Sequence, residues 1–179
     1  AIKGASRLGL QEYVSINCLP NAIYKPDVCI RTTLAAAETH NFPVDRIIFE
    51  VTEGERIDDG PWFAQVLREY KRCGFKPAID DFGAGYAGMK LLSDFQPDII
   101  KIDMDLIRNV DTNRPRQAIV RSLVRLCEEL GIQVVAEGIE TAGERDFLHD
   151  AGIRLMQGYL FAKPAFRARA DVDPNSYSA

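Results

Sequence analysis

Residues 76–105, KPAIDDFGAGYAGMKLLSDFQPDIIKIDMD, contain two short apolar runs that each end in acidic residues. The first run leads into Asp80 and Asp81, and the second carries Lys101 and ends at Asp103. Short apolar runs bounded by Gly and Pro are typical of buried strands. We therefore predict two strands whose carboxyl ends bring three carboxylates and a lysine to the floor of a site.

The same construction continues along the whole chain, where predicted strands alternate with predicted helices. The strands are expected at 13–17, 46–53, 77–81, 99–103, 133–137 and 155–160. The helices are expected at 1–10, 26–37, 61–73, 89–95, 115–130 and 142–151. Such alternation indicates a parallel sheet with helices outside it. It leaves two architectures open, an open doubly wound sheet and part of a closed (β/α) barrel.

Polar side chains at the strand ends favour the barrel. They lie at or just beyond the carboxyl ends of all six predicted strands: Asn17, Glu50, Asp80-Asp81, Lys101 with Asp103, Glu137 and Gln157. An open sheet concentrates its site at one crevice, whereas a barrel gathers all its strand ends around one axis. We therefore predict an α/β fold of the TIM-like barrel type. Because such a barrel has about eight strands, the first two are expected to precede Ala1 in a longer protein.

Composition sets further limits on the protein. The chain has 179 residues, 46% of them hydrophobic, and a net charge of -4. No shift in composition divides it, which favours a single domain. We assign residues 1–165 to the barrel and 166–179, where Arg167 and Arg169 are followed by Asp171 and Asp173, to a C-terminal tail. The scattered basic residues argue against binding to a nucleic-acid polymer. No apolar run reaches the roughly 20 residues of a membrane helix, and a signal-peptide pattern is absent, so a cytoplasmic location is expected.

Two expectations concern the core. Cys29, Cys73 and Cys127 fall among apolar neighbours in predicted helices, so we expect buried, reduced thiols. In the helix predicted at 115–130, one line of apolar residues is expected to face inward: Ile119, Leu123, Leu126 and Leu130.

The strand-end acids form a candidate metal site. Converging carboxylates from Glu50, Asp80, Asp81 and Glu137 would repel one another unless a cation lies between them. With the amide of Asn17 they make an all-oxygen donor set, which suits Mg²⁺, Mn²⁺ or Ca²⁺. Adjacent aspartates can serve two ions, the usual arrangement for hydrolysing a phosphodiester.

Each residue also has a simpler explanation. A single strand-end acid is more often an ion-pair or capping residue, and Lys101 alone could pair with Asp103 or Asp105. The recurrence across strands favours a shared site. Lys101 would then hold the attacking water or neutralise charge in the transition state. A Lys101→Ala change is accordingly expected to preserve metal binding and to lower turnover.

A phosphoacceptor receiver domain, which has paired aspartates, a later aspartate and a lysine, is a further alternative. There the lysine belongs on a strand after the acceptor aspartate, whereas Lys101 precedes Asp103 on the same strand.

Five segments, taken in order, resemble the motifs of EAL-type cyclic-di-GMP phosphodiesterase domains. They are EVTE at 50–53, DDFGAGY at 80–86, KID at 101–103, VAEGIE at 135–140 and QGYLFAKP at 157–164. The resemblance covers about Ile16 to Pro164. It implies a barrel of the EAL type and hydrolysis of cyclic-di-GMP to linear pGpG.

The resemblance also implies a role for each candidate residue. The metal ligands would be Asn17, Glu50, Asp80, Asp81 and Glu137. The ions would be Mg²⁺ or Mn²⁺, two in an intact site, with inhibition by Ca²⁺. Lys101 would hold or deprotonate the water nucleophile, and Glu137 would also be catalytic. Glu53 would anchor the loop after Asp81, and three residues would support the site and the guanine nucleotide: Asp103, Glu140 and Gln157.

One departure matters most. The Glu-Ala-Leu motif that names the family, whose Glu is a metal ligand, is absent from this sequence, which begins after the place where the motif should stand. If residues upstream supply it, the enzyme interpretation holds. If not, the chain would be a catalytically incomplete EAL domain that acts as a cyclic-di-GMP receptor or a protein-interaction module. The resemblance further implies a bacterial cytoplasmic homodimer, with regulatory or sensory domains outside this sequence, and the cytoplasmic part of a membrane-attached protein is an alternative location.

Overall fold

The computed structural model describes residues 1–18, 26–52, 60–84, 88–166 and 168–177. The strands are β1 (Val14–Asn17), β2 (Ile47–Thr52), β3 (Lys76–Phe82), β4 (Ile99–Ile102), β5 (Gln133–Ala136) and β6 (Leu155–Met156). The helices are α1 (Ile2–Arg7), α2 (Pro26–Thr39), α3 (Gly60–Arg72), α4 (Gly88–Asp94), α5 (Met104–Ile107), α6 (Arg114–Leu130) and α7 (Ala142–Asp150). Short 3-10 helices lie at Val44–Arg46 and Pro174–Tyr177.

The strands form one parallel sheet in the order β1-β2-β3-β4-β5-β6. A doubly wound sheet would reverse its strand order at a switch point, and the described strands show no such reversal. The sheet curls into a half-barrel with β1 and β6 at its two edges. The prediction of a partial TIM-like barrel is therefore confirmed.

The outer face of the sheet packs against the helices. Phe49 of β2 contacts Tyr70 of α3 with ring centroids 4.6 Å apart, and Phe75 with centroids 5.0 Å apart. One apolar face of α3 is buried against the sheet: Phe63, Val66, Leu67 and Tyr70. This apolar layer anchors β2 and β3 and so holds their carboxyl ends in place.

Helix α6 shows where apolarity alone misleads. Asn113 caps its start, where the Asn113 side chain accepts a hydrogen bond from the Arg116 N–H, and Gly131 caps its end with φ 69°. Ile119 is 50% exposed and Leu130 is 41% exposed, so the prediction that they face inward is wrong. The buried positions follow the i, i+3, i+4, i+7 spacing of a helical face: Val120, Leu123, Val124 and Cys127. Among the residues described, none of the helices has the length and apolarity to cross a membrane.

Two elements differ from the prediction. Helix α5 was not predicted, and β6 has two residues where the sequence predicts strand over 155–160. Just after β6, Gly158 lies against the backbone of Ile139, whose carbonyl oxygen would be 2.1 Å from a Cβ at this position, so only glycine fits. The Ile139 N–H donates to the Gln157 carbonyl at 3.1 Å. These contacts replace the expected strand extension.

The cysteines fit the prediction only in part. Cys127 is buried, and burial raises the pKa of its thiol to about 11. Cys73 is half-buried, and Cys29 is exposed beside Val28, so the expectation of burial is wrong for Cys29.

The segment after residue 165 packs back onto the barrel. Nη1 of Arg145 in α7 donates to the Ser176 carbonyl at 2.8 Å, and the rings of Phe161 and Tyr177 lie 5.9 Å apart. A division between barrel and tail at 165/166 stays a prediction.

Candidate metal centre

The candidate site is one layer of the barrel interior. An apolar layer comes first along the strands: Ile48, Ala78, Ile99 and Val135. Two residues further along the chain lie Glu50 in β2, Asp80 in β3, Lys101 in β4 and Glu137, which directly follows β5. Alternate residues of a strand share a face, so the charged layer lies directly above the apolar one. The strand periodicity thus places polar groups from β2 to β5 at one level.

Lys101 is the centre of this layer. Its Nζ lies 2.7 Å from Oε1 of Glu137, 2.9 Å from Oδ1 of Asp80 and 3.0 Å from Oε1 of Glu50. The Lys101 side chain is 11% exposed and those of its three partners are 9–15% exposed. The ion pairs of the described residues therefore connect Lys101 to the site rather than to Asp103 or Asp105.

A bulge in β3 turns two consecutive aspartates towards the site. Where β3 pairs with β4, Ile79 pairs with Ile100 and Phe82 pairs with Ile102. Asp80 and Asp81 therefore lie opposite Lys101. Two residues therefore oppose one, which is the definition of a β-bulge. Asp81 has φ 52°, and its N–H donates to Oδ1 of Asp80 at 3.1 Å. A regular strand would send these side chains to opposite faces.

The acidic groups fit a hard divalent cation. Asp80, Asp81 and Glu137 each offer a carboxylate oxygen, and these oxygens all lie within 4.8 Å of one another. Oxygen donors at this spacing suit Mg²⁺, Mn²⁺ or Ca²⁺. Glu50 is connected to the group through Lys101. Asn17 is the register partner of Glu50 on the edge strand β1 and is exposed.

Burial and charge shift the ionisation of this layer. Burial raises the pKa of Glu137 to about 7, although the hydrogen bond from Lys101 acts in the opposite direction. Burial, followed by the charges of Asp80 and Asp103, raises the pKa of Asp81. Burial alone would lower the pKa of Lys101, but its hydrogen bonds to the surrounding carboxylates raise it above the usual range. Lys101 is therefore a cation at neutral pH.

The residues predicted to support the site make different kinds of contact. Asp103 is buried and caps α5 by accepting a hydrogen bond from the Asp105 N–H at 2.8 Å. Glu140 is exposed and forms a two-point ion pair with Arg108, at 2.7 and 2.8 Å. Gln157 is exposed, and its N–H donates to the Ala136 carbonyl at 2.8 Å. Glu53 lies outside the described residues.

Glu144 is a structural residue that the sequence analysis missed. Its side chain is buried and accepts hydrogen bonds from the N–H groups of Asn109, Glu140 and Thr141, at 2.8, 3.0 and 3.1 Å. It thereby joins the loop after α5 to the loop after Glu137. The T-x-x-E pattern at 141–144 is a capping-box signal that could have located it.

Comparison with known proteins identifies the family. The EAL domain profile matches residues 3–164. The chain belongs to the EAL domain family. This EAL domain is similar to the crystal structure of a standalone EAL protein from Vibrio cholerae O395 in its c-di-GMP bound form, with TM-score 0.95 and 49% identity over 100% of this chain and 76% of that chain. It is also similar to a calcium and cyclic-di-GMP complex of Klebsiella pneumoniae BlrP1, with TM-score 0.89 and 42% identity over 96% of this chain and 44% of that chain.

Curated relatives of the EAL domain include proteins with different named functions. The blue light- and temperature-regulated antirepressor BluF of Escherichia coli is 43% identical over 150 residues, which are 84% of this chain and 37% of BluF. The cyclic di-GMP phosphodiesterase PdeR of E. coli is 37% identical over 124 residues, which are 69% of this chain and 19% of PdeR. The chain thus spans well under half the length of these two relatives.

Proposed function

We propose that this EAL domain hydrolyses cyclic-di-GMP to linear pGpG at the acidic layer around Lys101. The observation that carries the proposal is the convergence of Asp80, Asp81 and Glu137 within 4.8 Å beside a buried lysine. Two relatives support it, since PdeR is named a cyclic di-GMP phosphodiesterase and the V. cholerae protein was solved with c-di-GMP bound.

The side chains proposed to hold divalent ions are Asn17, Glu50, Asp80, Asp81 and Glu137. When bound, Mg²⁺ or Mn²⁺ would activate a water molecule and stabilise negative charge on the phosphoryl oxygens. That BlrP1 was solved as calcium and manganese complexes with cyclic-di-GMP supports the proposal of a divalent ion. We propose that Mg²⁺ or Mn²⁺ supports turnover and that Ca²⁺ inhibits it.

Lys101 and Glu137 are the two residues proposed to act at the reacting phosphodiester. Because Lys101 is a cation at neutral pH, holding the water or the phosphate oxygen fits its charge, and deprotonating the water does not. Glu137 belongs to the candidate metal group and lies 2.7 Å from Nζ of Lys101. We therefore assign charge stabilisation to Lys101 and a catalytic role as a metal ligand to Glu137.

The remaining residues support the site from its rim. Asp103 orients the start of α5 beside Asp81, and Gln157 is held where the chain turns after β6. Glu140 would act through its ion pair with Arg108. Glu53 is proposed to anchor the loop that follows β3. We further propose a homodimer in the bacterial cytoplasm, joined to regulatory domains outside this chain.

BluF favours a second candidate function. At 43% identity it is named an antirepressor rather than a phosphodiesterase. An EAL domain that binds cyclic-di-GMP, or a protein partner, without turnover would fit that relationship.

One assay separates the two candidates. The full-length protein is incubated with cyclic-di-GMP and Mg²⁺ or Mn²⁺, and pGpG is quantified by chromatography. A parallel binding measurement in Ca²⁺ reports nucleotide affinity without turnover. Formation of pGpG that stops on chelation supports the phosphodiesterase, whereas nucleotide binding without pGpG rejects it in favour of the receptor.

A further inference from the structure

The ammonium of Lys101 is surrounded by the acidic layer, where it donates a hydrogen bond to Asp80 and forms ion pairs with Glu137 and Glu50. A lysine ammonium has three N–H donors, and three carboxylate oxygens lie within 2.7–3.0 Å of Nζ. While these contacts persist, the ammonium is held among the carboxylates and not against a water molecule or a phosphate oxygen. The role proposed for Lys101 therefore requires that at least one carboxylate leaves it.

Two of the three partners of Lys101 are also members of the candidate metal group. Asp80 and Glu137 each contribute an oxygen to that group, and each also contacts the ammonium. An ammonium ion and a divalent cation that share these carboxylates repel each other, and burial weakens solvent screening of that repulsion. Lys101 and a metal ion would therefore compete for the carboxylates of Asp80 and Glu137.

The layer retains negative charge beyond what one lysine neutralises. Four acids meet here with Lys101: Glu50, Asp80, Asp81 and Glu137. Asp81 is the second residue of the bulge, and within the described part of the chain it forms no ion pair with Lys101. A divalent cation therefore still finds an attractive site, but its affinity is set against the ammonium already present.

We infer that Lys101 is an internal counter-ion that competes with the divalent metal for Asp80 and Glu137, and that metal binding releases its N–H donors for the reacting phosphodiester. The inference rests on the metal site of the proposed function. It replaces the sequence-based expectation that loss of Lys101 leaves metal binding unchanged. Under this inference, Lys101 can contact the phosphodiester only after the metal ion has bound.

The test is a Mn²⁺ titration of the nucleotide-free, full-length protein, with free Mn²⁺ measured by electron paramagnetic resonance. Lys101→Met removes the charge and keeps an unbranched side chain only one atom shorter. Lys71→Met is the matched control, because Lys71 pairs with Asp98 at 3.1 Å, ahead of β3 and β4 and so at the opposite end of the sheet. We expect Lys101→Met to bind Mn²⁺ at least about tenfold more tightly than the wild type and Lys71→Met to remain within about twofold. Equal or weaker binding by Lys101→Met would overturn the inference.

A second measurement uses the wild-type fold, in case Lys101→Met does not fold. Nuclear magnetic resonance of the lysine Nζ groups can follow Lys101, whose signal is assigned by its loss in Lys101→Arg. Saturating Mg²⁺ should shift that signal and speed its hydrogen exchange as carboxylates leave. An unchanged signal at saturation contradicts the competition.

These outcomes are distinct from those of the hydrolysis assay, because neither measurement contains cyclic-di-GMP. If Lys101→Met binds Mn²⁺ more tightly and the wild type forms no pGpG, the competition is supported and the phosphodiesterase is rejected. Turnover with unchanged Mn²⁺ affinity rejects only the competition. Absence of Mn²⁺ binding in both proteins rejects the competition and the metal site together.

Discussion

Nζ of Lys101 lies 2.7 Å from Oε1 of Glu137, which stands two residues beyond Val135, the partner of Lys101 in the β4–β5 ladder. The contact is possible because Val135 and Glu137 lie on the same face of the chain. It ties the buried cation of one strand to the acid that follows the next strand. The stability of the barrel without metal and its affinity for metal should therefore depend on the same side chain.

The first prediction concerns the stability of Lys101→Met without metal. Removing one partner of a buried ion pair leaves uncompensated charge, so the free energy of unfolding should fall by about 3–5 kcal/mol. Saturating Mn²⁺ should recover most of this loss, which urea denaturation with and without Mn²⁺ measures. Lys71→Met, whose lysine is 46% exposed, should lose no more than about 1 kcal/mol. Equal losses in the two variants would contradict the central position of Lys101.

The second prediction separates charge from backbone conformation at Asp81. Asp81→Asn and Asp81→Val both remove a carboxylate, so both should weaken Mn²⁺ binding. At φ 52° an asparagine is tolerated and a β-branched residue is strained. The free energy of unfolding of Asp81→Val should therefore be about 1–2 kcal/mol lower than that of Asp81→Asn. Indistinguishable urea midpoints for the two variants would argue against the bulge.

The third prediction concerns the turn after β6. A Cβ at Gly158 would lie 2.1 and 2.3 Å from the backbone O and N of Ile139, which cannot move aside as a flexible side chain could. Gly158→Ala should cost about 1–3 kcal/mol by overpacking and should weaken nucleotide binding, because Gln157 would shift. Gly4→Ala is the control, since nothing lies within 4 Å of its added Cβ and alanine favours a helix. A normal thermal midpoint for Gly158→Ala would show that the turn can relax.

The fourth prediction is a pH dependence at Glu144. Burial would raise the pKa of Glu144, but hydrogen bonds from the backbone N–H groups of Glu140, Asn109 and Thr141 hold it below its ordinary value. Because folding lowers this pKa, the stabilisation is fully present above about pH 4.3 and is lost as the pH falls through the folded-state value. Glu144→Gln should therefore be less stable than the wild type by about 1–3 kcal/mol at pH 7.

The difference between wild type and Glu144→Gln should shrink below about pH 4.3, as urea denaturation at several pH values would show. Glu129→Gln is the control, because Glu129 is 65% exposed and pairs only across one helical turn with Arg125. A difference for Glu144→Gln that stays constant down to pH 3 would contradict the assignment.

Much of this site could be predicted because the strand pattern is periodic. A polar residue two positions after a buried apolar one must share its face, so Glu50, Lys101 and Glu137 were predictable as strand-end residues of one barrel. The inner face of α3 was predictable for a similar reason. In α6 the apolar residues form a wider stripe than the buried face, and sequence alone did not show that Ile119 and Leu130 lie on its exposed flank.

The contacts within the site depend on register, which the strand pattern does not specify. Nothing in the pair Asp80-Asp81 shows that both oppose a single residue of β4. The partners of Lys101 come from three other segments, so residues near it in sequence, such as Asp103, were reasonable but incorrect partners. The connection from Glu144 to Asn109 spans 35 residues and follows from tertiary packing.

The most direct test of the central claim is the rate of pGpG formation from cyclic-di-GMP in Mn²⁺ by the full-length wild type, Asp80→Asn and Asp94→Asn. Asp80 belongs to the acidic layer, whereas Asp94 forms an exposed ion pair with Lys90 at 3.0 Å at the end of α4. We predict turnover by the wild type and by Asp94→Asn, and a loss of at least about 100-fold in Asp80→Asn, because a lost metal ligand weakens the charge stabilisation that the ion would give the transition state. Turnover by Asp80→Asn at the wild-type rate, or cyclic-di-GMP binding by the wild type without any pGpG, would contradict the account.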